Sequence, residues 1–202
     1  MMRILFPLIG LMGSLLACPA TAGSVELIEG LNRGILWAEF RGAGDRAVSG
    51  TVGRVNDVPV EVTVTAGTQF WAQAGGRQGQ ATIGSHQIDL QNVKVAQVAL
   101  HTCCTNLGLP EAAPADVMIP VACPSAVMAR LLSLPGIEQQ PHMAVQAAVW
   151  VVANDPRPTE VRRVLRHEPQ VGSQAFATEM IVAAGELLRQ ADLQPTRYRL
   201  FR

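Results

Sequence analysis

His101-Thr102-Cys103-Cys104 opens, and Val145-Gln146-Ala147-Ala148-Val149-Trp150 closes, the stretch that divides this sequence into two kinds of pattern. Short alternating runs typical of β-strands precede the stretch, and helical patterns follow it. The same stretch holds three of the four cysteines and two of the four histidines. We therefore predict an α+β fold in which the boundary between the two parts carries whatever chemistry the protein performs.

The first part, residues 23–104, is predicted to be an antiparallel β-sandwich. Val58–Val64 alternates apolar and polar residues with period two, as a strand with one solvated face does. Comparable runs separated by Gly, Asn and Asp occupy residues 34–40, 47–55, 69–73, 80–83, 87–90 and 93–100. If the last run stays extended, Thr102 and Cys104 fall on its more apolar face, and His101 and Cys103 on its more polar face.

The second part is predicted to be a small helical subdomain, residues 125–202, behind a proline-rich linker at residues 105–124. Helical patterns cover residues 125–134, 141–153, 160–166 and 175–191, and Pro135-Gly136 and Asn154-Asp155-Pro156 interrupt them. Thr159 and Ser173 are the expected caps of the last two helices.

Residues 1–22 have the pattern of a secretory signal peptide. Arg3 precedes an apolar run, and Ala20-Thr21-Ala22 offers small residues for cleavage. The run is shorter than the roughly 20 apolar residues that span a bilayer, so the mature protein is expected to be exported, to the periplasm or outside the cell, and not membrane-spanning. In a second interpretation, Leu15-Leu16-Ala17-Cys18 is a lipobox and Cys18 carries a lipid.

Charge and motifs exclude several classes of function. The 16 basic and 16 acidic residues balance, which gives no support to nucleic-acid binding. Neither a glycine-rich phosphate loop nor a pair of carboxylates is present, so no cofactor and no enzymatic activity are predicted.

The mature chain has an odd number of cysteines, namely Cys103, Cys104 and Cys123. An oxidising compartment favours one disulfide and one remaining thiol. Adjacent cysteines rarely bridge each other because the ring is strained, so Cys123 is expected to pair with Cys103, which faces away from Cys104. Cys104 is then either an inert buried residue or a reactive thiol.

Gln146 is the polar residue in an otherwise apolar helix, with His142 one turn before it and Trp150 one turn after it. A buried carboxamide needs hydrogen-bond partners, and a neighbouring backbone is the simplest source. The alternative is an intramolecular thioester, in which the Cys104 thiolate attacks the Gln146 side-chain carbonyl and ammonia leaves. Such a bond needs a water-poor pocket, which Trp150 is placed to shield.

These residues resemble the thioester domains of bacterial surface adhesins, in which a strand-end cysteine bonds the glutamine of a Gln-x-x-x-Trp helix. Cys104, Gln146 and Trp150 match that motif. The stretch also resembles secreted bacterial proteins with a Cys-Leu-Asn-x-Gly-x-Pro and Gln-Ala-Ala-x-Trp pattern. The resemblance implies a non-enzymatic attachment module of the cell envelope, whose partner is a protein or another amine-bearing surface ligand.

Three other interpretations stay open. Cys104 and Gln146 can simply pack, in a structural accessory domain with no reactive bond. The set His101, Cys103, Cys104, Cys123 and His142 can ligate zinc or copper, although no C-x-x-C or H-x-x-x-H pairing supports a metal. Cys104 can also be a hydrolase nucleophile with His142 or His101 as its base.

Overall fold

The computed structural model describes residues 23–167 and 174–202. The predicted signal peptide, the Cys18 lipobox and the Ser173 cap therefore lie outside the described residues. The strands are β1 (Gly23–Glu26), β2 (Leu36–Gly42), β3 (Ala47–Arg54), β4 (Val60–Val64), β5 (Gln69–Ala72), β6 (Gln80–Thr82), β7 (His86–Leu90), β8 (Val95–Cys104) and β9 (Val117–Val121). The α-helices are α1 (Leu27–Asn32), α2 (Ala126–Leu132), α3 (His142–Asn154), α4 (Pro158–His167) and α5 (Gln174–Gln190).

Six strands form a closed barrel in the order β2-β3-β8-β6-β5-β9, and all of its paired neighbours are antiparallel. The other three form a separate sheet, β1-β4-β7, in which β1 runs parallel to β4. The α+β class is therefore confirmed, with the strands ahead of the main helices. The predicted two-sheet sandwich is replaced by a barrel with a small sheet beside it.

Strand β9 closes the barrel, and it comes from the stretch predicted to be a proline-rich linker. It pairs with β5 over Met118–Val121, but with β2 only at Val117 and Met118. Pro120 thus lies beyond the end of the β2 pairing, where the missing proline N–H breaks no ladder to that strand. The proline content hid this strand from sequence reasoning, and without it the barrel would be an open sheet.

The barrel interior and the inner face of the three-stranded sheet share one apolar core. Phe40 and Phe70 meet edge to face with ring centroids 4.9 Å apart, among buried residues that include Leu100 and Met118. Gly50 leaves the space that the Phe40 ring needs, because a Cβ there would lie 2.5 Å from that ring. The interior is therefore filled by side chains.

A second core lies between the outer face of the barrel and the helices. Ala81 of β6, Ile83 directly after that strand and Cys103 of β8 meet buried residues of α2, α3 and α5. Helix α2 begins after Ser125, whose hydroxyl accepts a hydrogen bond from the N–H of Met128 at 3.2 Å. The four predicted helices are present with shifts of a few residues; α4 begins at Pro158, so Thr159 lies inside that helix and is not its cap. Within the described ranges, no helix has the length and apolar character that a membrane crossing requires.

Candidate functional site at the junction of strand and helix

Strand β8 extends further than its neighbour β3, and Gln146 fills the resulting gap. The last pairing contact on this side is the N–H of Thr102, which donates to the carbonyl of Arg46 at 2.9 Å. Two residues later, the N–H of Cys104 donates to Oε1 of Gln146 at 2.8 Å, and Nε2 of Gln146 donates to the carbonyl of Cys104 at 2.5 Å. One side-chain amide thus takes the place of a strand residue.

The pair is almost fully removed from solvent, with Cys104 1% and Gln146 2% exposed. An unpaired backbone group at this depth would cost about 1–3 kcal/mol. The Gln146 carboxamide avoids that cost by bonding both the N–H and the carbonyl of Cys104. This explains why the otherwise apolar helix α3 carries glutamine here. The strand end and the helix therefore meet as the sequence predicts, but the contact shown is with the backbone of Cys104; contact of its sulfur with the carboxamide stays a prediction.

The thiol of Cys104 belongs to the barrel side of the strand. Strand alternation puts the Cys104 side chain on the inner face with Leu100 and Thr102, and its Sγ lies 3.8 Å from the carbonyl oxygen of Asp45. Asp45 sits in the turn between β2 and β3, close to where β3 begins. The cysteine therefore presents its backbone to the helix and its sulfur to the end of the barrel.

Sequence reasoning missed a second buried glutamine beside this thiol. Gln80 of β6 is the direct cross-strand partner of Cys104, so both side chains lie on the inner face. Gln80 is fully buried; its Nε2 donates to the carbonyl of Gly44 at 2.5 Å, while its Oε1 has no hydrogen-bond partner among the described residues. The strand at residues 80–83 was predicted and is confirmed as β6, but nothing in the sequence indicated that Gln80 pairs with Cys104.

His101 and His142 come together at the same junction, as stacked rings with centroids 5.8 Å apart. Burial lowers the pKa of His142 from 6.5 to about 4; Asp45 opposes this change, and Arg46 and His101 add to it. His142 is therefore neutral at pH 7, and its Nε2 contact with the Asp45 carboxylate at 3.8 Å is not an ion pair. Burial also lowers the pKa of His101, against the opposing charge of Glu138.

Trp150 is buried one turn beyond Gln146, within the core between the helices and the barrel. Its indole Nε1 has no hydrogen-bond partner in the part of the chain that the structure describes. Trp150 is thus part of the apolar core on this side of the barrel, and shielding of the Cys104–Gln146 pair by its ring stays a prediction.

Cys103 and Cys123 border the same core but are not joined. The Cys103 thiol lies 3.7 Å from the carbonyl of Ala81, and the Cys123 thiol lies 3.2 Å from the carbonyl of Ser125. Burial raises the pKa of the Cys103 thiol well above its ordinary value, and Cys104 adds to this rise. None of the three described cysteines forms a disulfide here, so the Cys103–Cys123 bridge stays a prediction for the oxidised protein.

The loop after β8 makes a second attachment to α3. The N–H of Leu107 donates to Oδ1 of Asn154 at 3.0 Å, eight residues beyond Gln146 on the helix. Because the helix rises about 1.5 Å per residue, the two attachments lie roughly 12 Å apart. The strand end and its loop are therefore held along two turns of α3.

Across the described ranges, no group of three or more His, Cys, Asp or Glu side chains is arranged to hold a metal ion. The Cys104 thiol lies on the inner face of β8, whereas His101, which stacks on His142, lies on its outer face.

Comparison of the chain with protein-family models, curated proteins and solved structures finds no match to any of them.

Proposed function

We propose that the protein is an exported, non-enzymatic attachment module whose reactive element is a thioester between the Cys104 thiol and the Gln146 side-chain carbonyl. The observation that carries the proposal is the hydrogen bond from the Cys104 N–H to Gln146 Oε1, 2.8 Å long and buried. Backbone N–H groups aimed at a carbonyl oxygen stabilise the negative charge that develops there when a nucleophile adds.

The reaction balances within the chain. The Cys104 thiol loses its proton, its sulfur adds to the Gln146 carbonyl carbon, and the carbon–nitrogen bond breaks. The released amide nitrogen takes up the proton and leaves as ammonia. Because the Cys104 sulfur faces the end of the barrel, its side chain must turn toward the edge of β8 before the sulfur can reach this carbonyl carbon. Burial protects the product from hydrolysis.

A partner's primary amine would complete the function. Attack of that amine on the thioester carbonyl breaks the carbon–sulfur bond, forms an amide to the Gln146 side chain and restores the Cys104 thiol. The attached partner is then held by a covalent bond. Because both residues are buried, the amine must enter along the edge of β8 where β3 has ended.

The intact mass of the mature protein tests the proposal. Thioester formation lowers the mass by about 17 Da, and methylamine should label the protein while removing that deficit. The sample is reduced with a phosphine, since a thiol reductant would itself open the bond. Cys104→Ala and Gln146→Ala should each abolish the deficit and the labelling. Cys103→Ala, the neighbouring thiol, is the matched control and should keep both; full mass in the unmodified protein contradicts the proposal.

A structural accessory domain is the second candidate, and one specific observation favours it. The carboxamide oxygen and nitrogen of Gln146 are both satisfied by the backbone of Cys104, as in a strand ladder. In that case Gln146 only ties the barrel to the helices. A full mass, no methylamine labelling, and strong destabilisation by Gln146→Ala would together support this candidate.

A further inference from the structure

We infer that a cleft beside this junction binds a neutral sugar ring, a function that does not depend on the thioester. The cleft has a volume of about 280 Å³, just below the range of drug-sized ligand sites and enough for one ring. It lies between the outer face of β5, the loop after β8, the start of α2 and the end of α3. The polar side chains and the indole that line it are Gln69, Trp71, Thr105, Asn106, Ser125 and Asn154.

Gln69 forms the buried part of the cleft and has an unmet hydrogen-bonding capacity. The residue is only 5% exposed, and its Oε1 has no hydrogen-bond partner among the described residues. A buried acceptor without a donor is costly, and either a water or a ligand hydroxyl can supply the donor. Because Oε1 itself has almost no exposed surface, the Gln69 side chain must turn into the cleft to accept from a ligand hydroxyl.

Trp71 provides an apolar surface at the rim. Its side chain lies two residues from Gln69 on the same outer face of β5 and is 39% exposed. The ring is held over Gly79, where a Cβ would lie 2.8 Å from the indole. A fixed, partly exposed indole can stack on the C–H face of a sugar ring and keep its own N–H for a hydroxyl.

Two asparagines complete the polar wall. Oδ1 of Asn106 accepts from the N–H of Gly79 at 2.8 Å, and Oδ1 of Asn154 accepts from the N–H of Leu107 at 3.0 Å. With the oxygens held in this way, the two carboxamide nitrogens are the groups left to donate to a ligand. The cleft therefore offers amide donors, an amide acceptor and hydroxyls at several points around its wall.

Charge and shape select the ligand class. None of the described residues that line the cleft is charged. A phosphate or carboxylate would enter without a counter-charge and lose its hydration, which disfavours nucleotides and acidic sugars. A nucleobase would use one stacked face and one edge, whereas the polar groups here surround the cleft. A neutral ring with hydroxyls on all sides matches this distribution.

Titration of the intact mature protein with cellobiose and N,N′-diacetylchitobiose tests the inference, with tryptophan fluorescence and NMR shifts as readouts. We expect saturable binding of at least one of them, and none of glucuronic acid. Trp71→Ala and Gln69→Ala should each weaken binding about tenfold or more, the loss expected when a stacked ring or a hydrogen bond is removed. Both variants are first checked for wild-type thermal unfolding profiles and amide spectra.

Trp37→Ala is the matched control, because Trp37 is also 39% exposed and also lies over a glycine, Gly53, elsewhere on the barrel. It should bind sugars as the wild type does. Protein pretreated with methylamine should also bind sugars unchanged, which separates this inference from the thioester. No binding of either disaccharide at tens of millimolar, binding of adenosine or an uncharged peptide instead, or equal loss in Trp37→Ala overturns the inference.

Discussion

Replacing Gln146 with alanine removes both hydrogen bonds that hold the end of β8 against α3. The backbone N–H and carbonyl of Cys104 then lose their partners in a site where Cys104 is 1% exposed. Each orphaned group costs about 1–3 kcal/mol, so we expect a loss of about 2–6 kcal/mol. Because a whole domain has a free energy of unfolding of about 5–15 kcal/mol, this single change removes a large part of the stability.

Urea unfolding measures this loss, in a Cys104→Ala background that cannot form the thioester. The comparison is made between Cys104→Ala and the double variant Cys104→Ala, Gln146→Ala, because alanine keeps the backbone pair and excludes any thioester. Gln97→Ala is the control: Gln97 is an exposed glutamine of the same strand, bonded to Thr51, and its loss should change stability by less than about 0.5 kcal/mol. A Gln146 effect below about 1 kcal/mol would refute the reasoning.

Gln146→Glu tests the same backbone pairing through the pH dependence of the free energy of unfolding. A protonated glutamic acid can accept from the Cys104 N–H and donate to the Cys104 carbonyl, whereas the carboxylate would face that carbonyl oxygen. Burial and this contact raise the pKa of the new carboxyl above its unfolded value of about 4.3. The folded state then holds the proton more tightly, so stability should be near wild type at pH 4.5 and fall as the pH rises to 8. A flat profile contradicts the backbone pairing.

Three further predictions concern other parts of the molecule. His142 has a pKa of about 4 in the folded protein and about 6.5 when unfolded, so the unfolded state takes up its proton first as the pH falls. The free energy of unfolding should therefore drop between about pH 6.5 and pH 4, by about 3 kcal/mol at most, and His142→Phe should flatten that part of the profile. Gly50→Ala should lower the free energy of unfolding by about 1–3 kcal/mol because its Cβ would crowd Phe40, while Gly23→Ala, with no atom within 4 Å of the new Cβ, should not. Alkylation of the denatured, non-reduced protein should leave Cys103 and Cys123 unlabelled if they form the predicted bridge; labelling of both excludes it.

The sequence predicted the strand β8 and the helix α3 well because each carries a strong local pattern. The alternation from Val95 to Cys104 indicated which side chains share a face, and the apolar run around Gln146 indicated a buried helix. Closure of the barrel was not predictable in this way, since β9 depends on distant partners and contains Pro120. Cys103 was expected on the more polar face of β8; helices cover that face at the end of the strand, so Cys103 is as buried as Cys104.

The position of Cys104 between two buried glutamines leads to a last expectation. Gln146 meets the backbone of Cys104, and Gln80 faces its side chain across the strand pair. Only the Gln146 carbonyl receives an N–H, which would stabilise charge on its oxygen; the Gln80 oxygen has no such donor among the described residues. If the mature protein has the mass deficit, methylamine should therefore label the peptide that contains Gln146. A label on the Gln80 peptide would mean that proximity to the thiol, and not activation of the carbonyl, decides which carboxamide reacts.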